Sequence, residues 1–296
     1  MECFTKYSMQ TIPVIILNYN SYADCRQCVA DLKRQKGVEL EIIVVDNCSP
    51  REGEQAAVQQ LCTEGGCTFI QAKDNRGYNA GNNIGLRYAA EKGYKYALIA
   101  NPDMRFPQTY YISQLVKVME EKPEVAVCGS DIVSLEGVHQ NPMKRDGDWR
   151  SSFGWVTVFF RKKKSDTYDF IDNYAESHDC SKVSGCCLLV RMDFMKRIGY
   201  FDERVFLYCE EAILSRQVER CGMTMHYIAD VQAIHAHVKN EKGDPIMRFG
   251  HWRKSRVYFI DNYSEDCCFG RMMAKLSIGI YVVLMTLALR IKACIN

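Results

Sequence analysis

In the first third of the chain, three short apolar runs each stop abruptly at a cluster of asparagine and aspartate. Ile12–Leu17 ends at Asn18-Tyr19-Asn20, Leu40–Val45 at Asp46-Asn47, and Tyr96–Ala100 at Asn101-Pro102-Asp103. A run this short, apolar throughout and rich in β-branched residues, reads as a strand buried on both faces. Between the first two runs, Tyr22–Gln35 carries Cys25, Cys28, Val29 and Leu32 at i, i+3, i+4 and i+7, the stripe of a helix. Glu52–Cys62 continues as a helix, Thr68–Gln71 as a short strand, and Gly77–Glu91 as a further helix. Gln108–Glu121 is helical, with Tyr111, Leu115 and Val118 on one face, and Val125–Cys128 is another strand. Strands alternating with helices build βαβ units and a mainly parallel, Rossmann-like α/β sheet flanked by helices. Ligands of such sheets bind beyond the carboxyl ends of the strands, where the three polar clusters lie. Their convergence on one edge makes a site more firmly than any one cluster.

The second half is less regular. Residues 130–165 mix Trp149, Phe153, Trp155, Phe159 and Phe160 with turn residues and close on Arg161-Lys162-Lys163-Lys164, which suggests strands and loops laid over the first unit. Order returns with a strand at Cys186–Val190, a helix at Glu210–Cys221 and a strand at Val231–Ile234. No internal repeat or low-complexity linker interrupts the chain. The expected organisation is a catalytic domain over residues 1–265, with a nucleotide-binding half at about 10–130 and an acceptor half at about 131–265, followed by a basic-hydrophobic tail at 266–296.

A net charge of +2 gives no global field for nucleic acid, so any basic function must be local. The start of the chain lacks a basic segment followed by an apolar one, so no export is expected and the 15 cysteines read as free thiols, several of them buried. Cys25-x-x-Cys28 has no second ligand pair at a zinc spacing, and Cys186-Cys187 and Cys267-Cys268 are weak ligand candidates.

VIILNYNSY (14–22), EIIVVDNCSP (41–50), DNRGYNAGNNIGL (74–86), LIANPDM (98–104), and the stretch from VSGCCLLVR (183–191) through GYFDERVFLYCEEAILSRQ (199–217) occur in one order. Together they resemble family 2 of the inverting glycosyltransferases, especially its rhamnosyltransferase-like members, over about three quarters of the chain. The resemblance implies the GT-A fold, a nucleotide-binding parallel sheet with an acceptor subdomain.

Inverting sugar transfer requires a neutralised nucleoside diphosphate leaving group and an acceptor hydroxyl deprotonated on the opposite face. A hard divalent cation, Mg²⁺ or Mn²⁺, meets the first need through one or two carboxylates plus phosphate oxygens. The resemblance makes Asp103 the metal ligand, matching the last aspartate of a DxD motif whose first position here is Asn101, counted with the nucleotide-binding residues. Alone, Asn-Pro-Asp would be an ordinary turn. Asp46 is expected to hold the base or ribose, with Asn18 and Asn20 lining the base pocket, although aspartates at strand ends also cap helices. Arg76, Asn79 and Asn82 belong to a segment that, as the resemblance implies, approaches donor sugar and diphosphate. Gly77, Gly81 and Gly85, at spacing four, allow close backbone approach and do not form a GxGxxG fingerprint.

The resemblance implies a catalytic base in Cys209-Glu210-Glu211, Glu211 ahead of Glu210: the family usually shows Glu-Asp here and its aspartate aligns with Glu211, which reaches one methylene farther. As helix-start carboxylates both could instead only answer the macrodipole. Ser184-Gly185 brings the acceptor pocket close to backbone. Asp202 reads as structural, and His235 of His235-x-His237 as a second metal or diphosphate ligand.

LSIGIYVVLMTLAL (276–289) is uncharged and apolar all round, flanked by Arg271, Lys275, Arg290 and Lys292. At 14 residues it is short for a bilayer span, which takes about 20. With the patches Arg161–Lys164 and Arg248, Arg253, Lys254, Arg256, it points to a cytoplasmic protein held peripherally on the inner, anionic face of a membrane. Removal of residues 271–296 is expected to release it. The expected partners are therefore a pyrimidine nucleoside-diphosphate sugar, a glycan or lipid-linked glycan acceptor and a membrane surface. The competing reading is a catalytically silent nucleotide-sugar binding protein of the same fold. A nucleotidyltransferase would need a glycine-rich basic loop after the first strand, which Asn18-Tyr19-Asn20-Ser21 is not.

Overall fold

The alternation expected of the first half is present in the structure, a computed structural model that describes residues 10–158, 171–237 and 244–295. The order is β1 (Thr11–Asn18), α1 (Tyr22–Leu32), β2 (Glu39–Asp46), α2 (Glu54–Gly65), β3 (Thr68–Gln71), α3 (Tyr78–Glu91), β4 (Tyr96–Ala100), the two-residue β5 (Met104–Arg105), α4 (Tyr111–Glu121) and β6 (Val125–Ser134). A 3-10 turn, Trp149–Phe153, leads into α5 (Gly154–Val158). Then come β7 (His178–Cys180), β8 (Cys187–Arg191), α6 (Met192–Ile198), α7 (Glu210–Arg220), β9 (Thr224–His235), α8 (Pro245–Asn262) and α9 (Cys268–Ile295).

Nine strands form one sheet in the order β3-β2-β1-β4-β8-β6-β9-β5, with β7 on β9. β1 is parallel to β2 and β4, and β2 to β3. β8 runs antiparallel between β4 and β6, a central position suited to its buried Cys187–Val190. Alternate side chains serve opposite faces. Ile12, Val14 and Ile16 pack with Val29, Leu32, Val58 and Leu115 on one side. Ile15, Leu17, Ile43 and Val45 pack with Leu86, Phe194 and Leu214 on the other. On that second side, Cβ atoms on Gly81 and Gly85 would come within 2.5 Å of Leu17 Cδ1 and 2.6 Å of Ile15 Cγ2. The glycine stripe thus presses α3 onto β1.

Three expectations change. Trp149–Val158 is helical rather than strand and loop, because its aromatics pack on a helix: Trp149 meets Phe269 and Trp155 meets Tyr281 at centroid distances of 5.8 and 6.0 Å. The strand expected at Val231–Ile234 is the end of β9, twelve residues long. The apolar run 276–289 is the later part of the 28-residue α9, whose inner face (Ala274, Ile278) joins Ala212 and Ile213 of α7 and Phe259 and Ile260 of α8 in a third core cluster. Phe159, Phe160 and the basic run Arg161–Lys164 lie outside the described residues. The described cysteines are all free thiols; Cys25 and Cys28 are buried, and burial pushes both well above the usual thiol pKa.

Candidate active site

Parallel register brings the ends of β1, β2 and β3 into a row, with Asn18 opposite Asp46 and Asp46 opposite Gln71. Asp46 is fully buried, and its oxygens accept from Asn18 Nδ2 (2.9 Å), Ser49 Oγ (2.7 Å), Ser49 N–H (3.0 Å) and Gln71 Nε2 (3.0 Å). Burial works to raise its pKa, but these donors hold it below the usual carboxylate range. A carboxylate offers about four acceptor sites, so within the protein Asp46 is a knot that sets the three strand ends. Asn18 is wholly buried in the same knot, while Asn20 Oδ1 accepts from Arg51 N–H at 3.1 Å and leaves Tyr19, between them, exposed. Beside the knot is a cavity of about 320 Å³ lined by Asn47, Gln71, Lys73, Arg76, Arg87 and Glu203, among others.

The start of α3 faces inward. Asn79 and Asn83 donate to the carbonyls of Asp202 and Phe201, both at 2.8 Å, clamping the 201–203 segment; Asn82 donates to Tyr78 O at 3.0 Å. Arg76 pairs with Glu203 at 3.2 Å. Gly77 has φ +97° and lies so near Phe206 that a Cβ would stand 2.1 Å from its carbonyl oxygen. Asp202 accepts from Arg204, Tyr258 and Tyr263; against the opposing effect of burial, these bonds bring its carboxyl to about 2. It ties this segment to α8, the structural role read from the sequence.

Beyond β4, Asp103 is buried and meets two imidazoles, His235 Nε2 on Oδ1 and His237 Nδ1 on Oδ2, each at 3.4 Å. The antiparallel ladder of β5 and β9 sets Met104 against His235, and Ala236 N–H donates to Asp103 O at 2.8 Å. One donor atom from each of Asp103, His235 and His237 falls within 4.8 Å of the others, close enough to share one cation. His235 Nδ1–H donates to Gln140 Oε1 at 2.8 Å, which directs Nε2 at Asp103. Asn101 N–H donates to Cys186 O at 2.7 Å, so the segment 101–103 is fastened to the turn Ser184–Cys186 that leads into β8.

The same turn also meets Glu211. Gly185 N–H donates to Glu211 Oε1 at 3.2 Å, and Tyr78 Oη donates to Gly185 O at 2.6 Å. Tyr208 and Cys209, at φ +73° and +66°, take the left-handed region just before α7. Such non-glycine residues cost about 1–3 kcal/mol each and gather at functional sites. Glu210 and Glu211 follow and line a cleft of about 590 Å³ with Trp155, Trp252, Tyr281, Asp146, Lys182 and Arg256. Asp146 bridges Lys182 (2.7 Å) and Arg256 (2.9 Å), and these cations overcome burial to hold its pKa down. Burial, then the adjacent Glu211, pushes Glu210 up to about 8 from 4.5. Glu210 is therefore the carboxyl of this cleft that burial favours in its protonated form.

Because the folded pKa of Glu210 is raised, stability from this group is full below about 4.5 and is lost as pH rises through about 8. Melting curves of wild type and Glu210→Gln should diverge between about pH 5 and pH 9, wild type losing ground at the alkaline end. Parallel curves would deny the buried proton.

The structure thus bonds Asn101 and Glu211 to one backbone turn, sets His235 against Asp103, gathers Asn18, Asn20 and Asp46 in the knot, and turns Arg76 and Asn79 toward the 202–203 segment. His237, Gln140, Asp146, Lys182 and Arg256 were not singled out for these roles. Only His237 left a signal, since i and i+2 project to one side of an extended chain.

Residues 14–199, well over half the chain, match the family described as Glycosyl transferase family 2. The chain belongs to that family. It is a glycosyltransferase, with the mixed α/β fold and mostly parallel central sheet expected of GT-A proteins. It is 25% identical over 232 residues (77% of this chain, 67% of the relative) to a Haloferax volcanii protein, the low-salt glycan biosynthesis hexosyltransferase Agl10. It is 21% identical over 86% of its length, and 85% of the relative's, to the N-acetylglucosaminyl-diphospho-decaprenol L-rhamnosyltransferase of Mycobacterium tuberculosis. A solved structure of GalNAc-T7 with UDP, GalNAc and Mn²⁺ superposes with a TM-score of 0.62 at 15% identity over 87% of this glycosyltransferase, which spans 49% of that longer chain.

Proposed function

We propose that this glycosyltransferase inverts configuration, depends on a divalent metal, and moves a sugar from a pyrimidine nucleoside diphosphate to a hydroxyl of a lipid-linked glycan. Rhamnose is the favoured sugar, surface polysaccharide synthesis the setting, and the inner face of the membrane the place. The observation that carries this reading is one turn, Ser184–Cys186, that accepts from Asn101 N–H, two residues before Asp103 of the Asp103–His235–His237 cluster, and donates to the Glu211 carboxylate. A diphosphate leaving group and a proton acceptor are then held at fixed separation.

The donor set fits a cation: one buried carboxylate and two imidazoles, the first oriented by Gln140. Bound there, it would neutralise the charge that develops on the departing diphosphate. Two nitrogen donors favour Mn²⁺ over Mg²⁺, which prefers an all-oxygen shell. Asp46, Asn18, Asn20 and Asn101 set the floor of the nucleotide site, and Arg76, Asn79 and Asn82 its wall toward the sugar. Glu211, steadied by Gly185 N–H, takes the acceptor proton as the new bond forms opposite the leaving group. Glu210 keeps its proton and spares the cleft a third negative charge, beside Asp146 and Glu211.

Lys182 and Arg256 set two cations, bridged by Asp146, in a cleft walled by aromatic rings. This suits a sugar attached to a phosphate, which is the acceptor in the printed name of the mycobacterial relative.

The test is a thermal-shift screen of nucleoside diphosphates with and without Mn²⁺. One pyrimidine diphosphate is expected to stabilise the protein only with the metal, by about 2.7 kcal/mol at a hundredfold excess over Kd. No shift with any nucleotide in folded protein would remove the reading.

A further inference from the structure

The outer face of α9 is apolar and uncovered. At 100° per residue, Met272, Leu276, Ile280, Val283, Leu287 and Ile291 fall within an arc of about 120°, and each is 43–60% exposed. The opposite face, Ala274 and Ile278, is locked into the core cluster with α7 and α8. By length and composition Cys268–Ile291 is apolar enough to cross a membrane, yet two features of the fold oppose crossing.

First, the charge-free part, Leu276–Leu289, is 14 residues, or about 21 Å against about 30 Å of hydrocarbon. The turns before it are pinned to protein by cations: Arg271 donates to the carbonyls of Asp266 and Ser264 at 2.9 and 3.1 Å, and Lys275 pairs with Asp261 at 2.5 Å. Second, Ile278 and Tyr281, near the middle of the helix, line the cleft that contains Asp146, Lys182, Arg256 and the two glutamates. A spanning α9 would carry these charges to the depth of the bilayer centre, where each costs several kcal/mol.

We propose that α9 lies flat in the interface of an anionic leaflet, its outer stripe in the acyl boundary and its inner face on the catalytic domain. Charge selects this partner over a second copy. Residues 244–295 hold eight Lys or Arg and four Asp or Glu, a local +4 in a chain whose total is +2, and Arg248, Arg253, Lys254 and Arg290 are exposed. Two such faces pressed together would repel, whereas phosphatidylglycerol or a similar lipid attracts both. The cleft, on the protein side of α9, then opens about one helix diameter, ~10 Å, above the acyl surface. That is the reach of a sugar carried on a lipid phosphate. This last step rests on the acceptor reading above; the seating itself does not.

The experiment uses the full chain, vesicles of phosphatidylcholine with or without phosphatidylglycerol, and no substrate, so its outcome is independent of donor binding and turnover. Co-sedimentation is expected with anionic vesicles. Leu276→Glu/Leu284→Glu, on the outer face, should lower partition at least about tenfold while leaving the melting temperature unchanged. Ile280→Trp and Leu287→Trp should be quenched by brominated lipids at one shared, shallow depth. A gradient of depth between the two would establish a spanning helix and overturn the proposal. Unchanged partition of the double variant would do the same. So would a dimer in lipid-free solution that the variant disperses, with no vesicle binding by the parent.

Discussion

Glu211→Gln is expected to lower kcat by about two to four orders of magnitude, with KM for the donor and the melting temperature little changed. Glutamine keeps the shape of the side chain and still accepts the Gly185 N–H, but it cannot take a proton. The loss falls on the transition state, where the acceptor oxygen gains charge as its proton leaves. Glu210→Gln is the paired control. Burial raises Glu210 to about 8, so an amide imitates its protonated form near neutral pH and kcat should stay within about tenfold. Glu211→Asp withdraws the carboxylate by one methylene from a backbone set for glutamate. A displacement of that size costs up to about 10² in rate. If instead Glu210→Gln is the dead variant and Glu211→Gln turns over normally, the roles of the two residues are reversed.

Much of this site was legible because its pieces sit at strand ends. Asn18, Asp46 and Asn101 each interrupt an apolar run, and parallel register then aligns Asn18, Asp46 and Gln71 without help from distant sequence. Glu210 and Glu211 were legible as the opening of a helix in a familiar motif order. What lay hidden depends on long-range packing. Gln140 reaches His235 from a loop 95 positions earlier, and Asp146 meets Arg256 across 110 positions. No local period encodes such pairs. The helical Trp149–Val158 resembles strand and loop in sequence because its rings are spaced for contact with α9, not for an internal stripe. In α9 the uncharged run drew attention to its later turns, while Arg271 and Lys275 hid the earlier ones by pairing outward with Asp261, Ser264 and Asp266. Asp46 shows the converse. Its position was plain from the sequence, but only the structure reveals four donors already on its carboxylate.

Asp103→Ala is expected to abolish metal-dependent stabilisation by nucleotide and to lower turnover by about 10²–10⁴, the equivalent of about 3–5 kcal/mol of lost charge stabilisation. Asp103 is the only anion of the cluster, so its removal takes away the charge that balances the cation, whereas each histidine contributes a neutral donor. His235→Ala and His237→Ala should weaken Mn²⁺ binding and be rescued by excess metal; Asp103→Ala should not be. His237, with its side chain 43% exposed against 17% for His235, should show the smaller effect. Gln140→Leu leaves every donor in place but frees the His235 ring, and such outer partners are worth about 10–100-fold in metal affinity. Titrating Mn²⁺ against turnover for the four variants would separate them. A chelator-treated enzyme that keeps full rate, or an Asp103→Ala variant that still responds to Mn²⁺, would place the cation elsewhere. The ordering Asp103, His235, His237 is the signature of this cluster, because it follows from charge first and burial second.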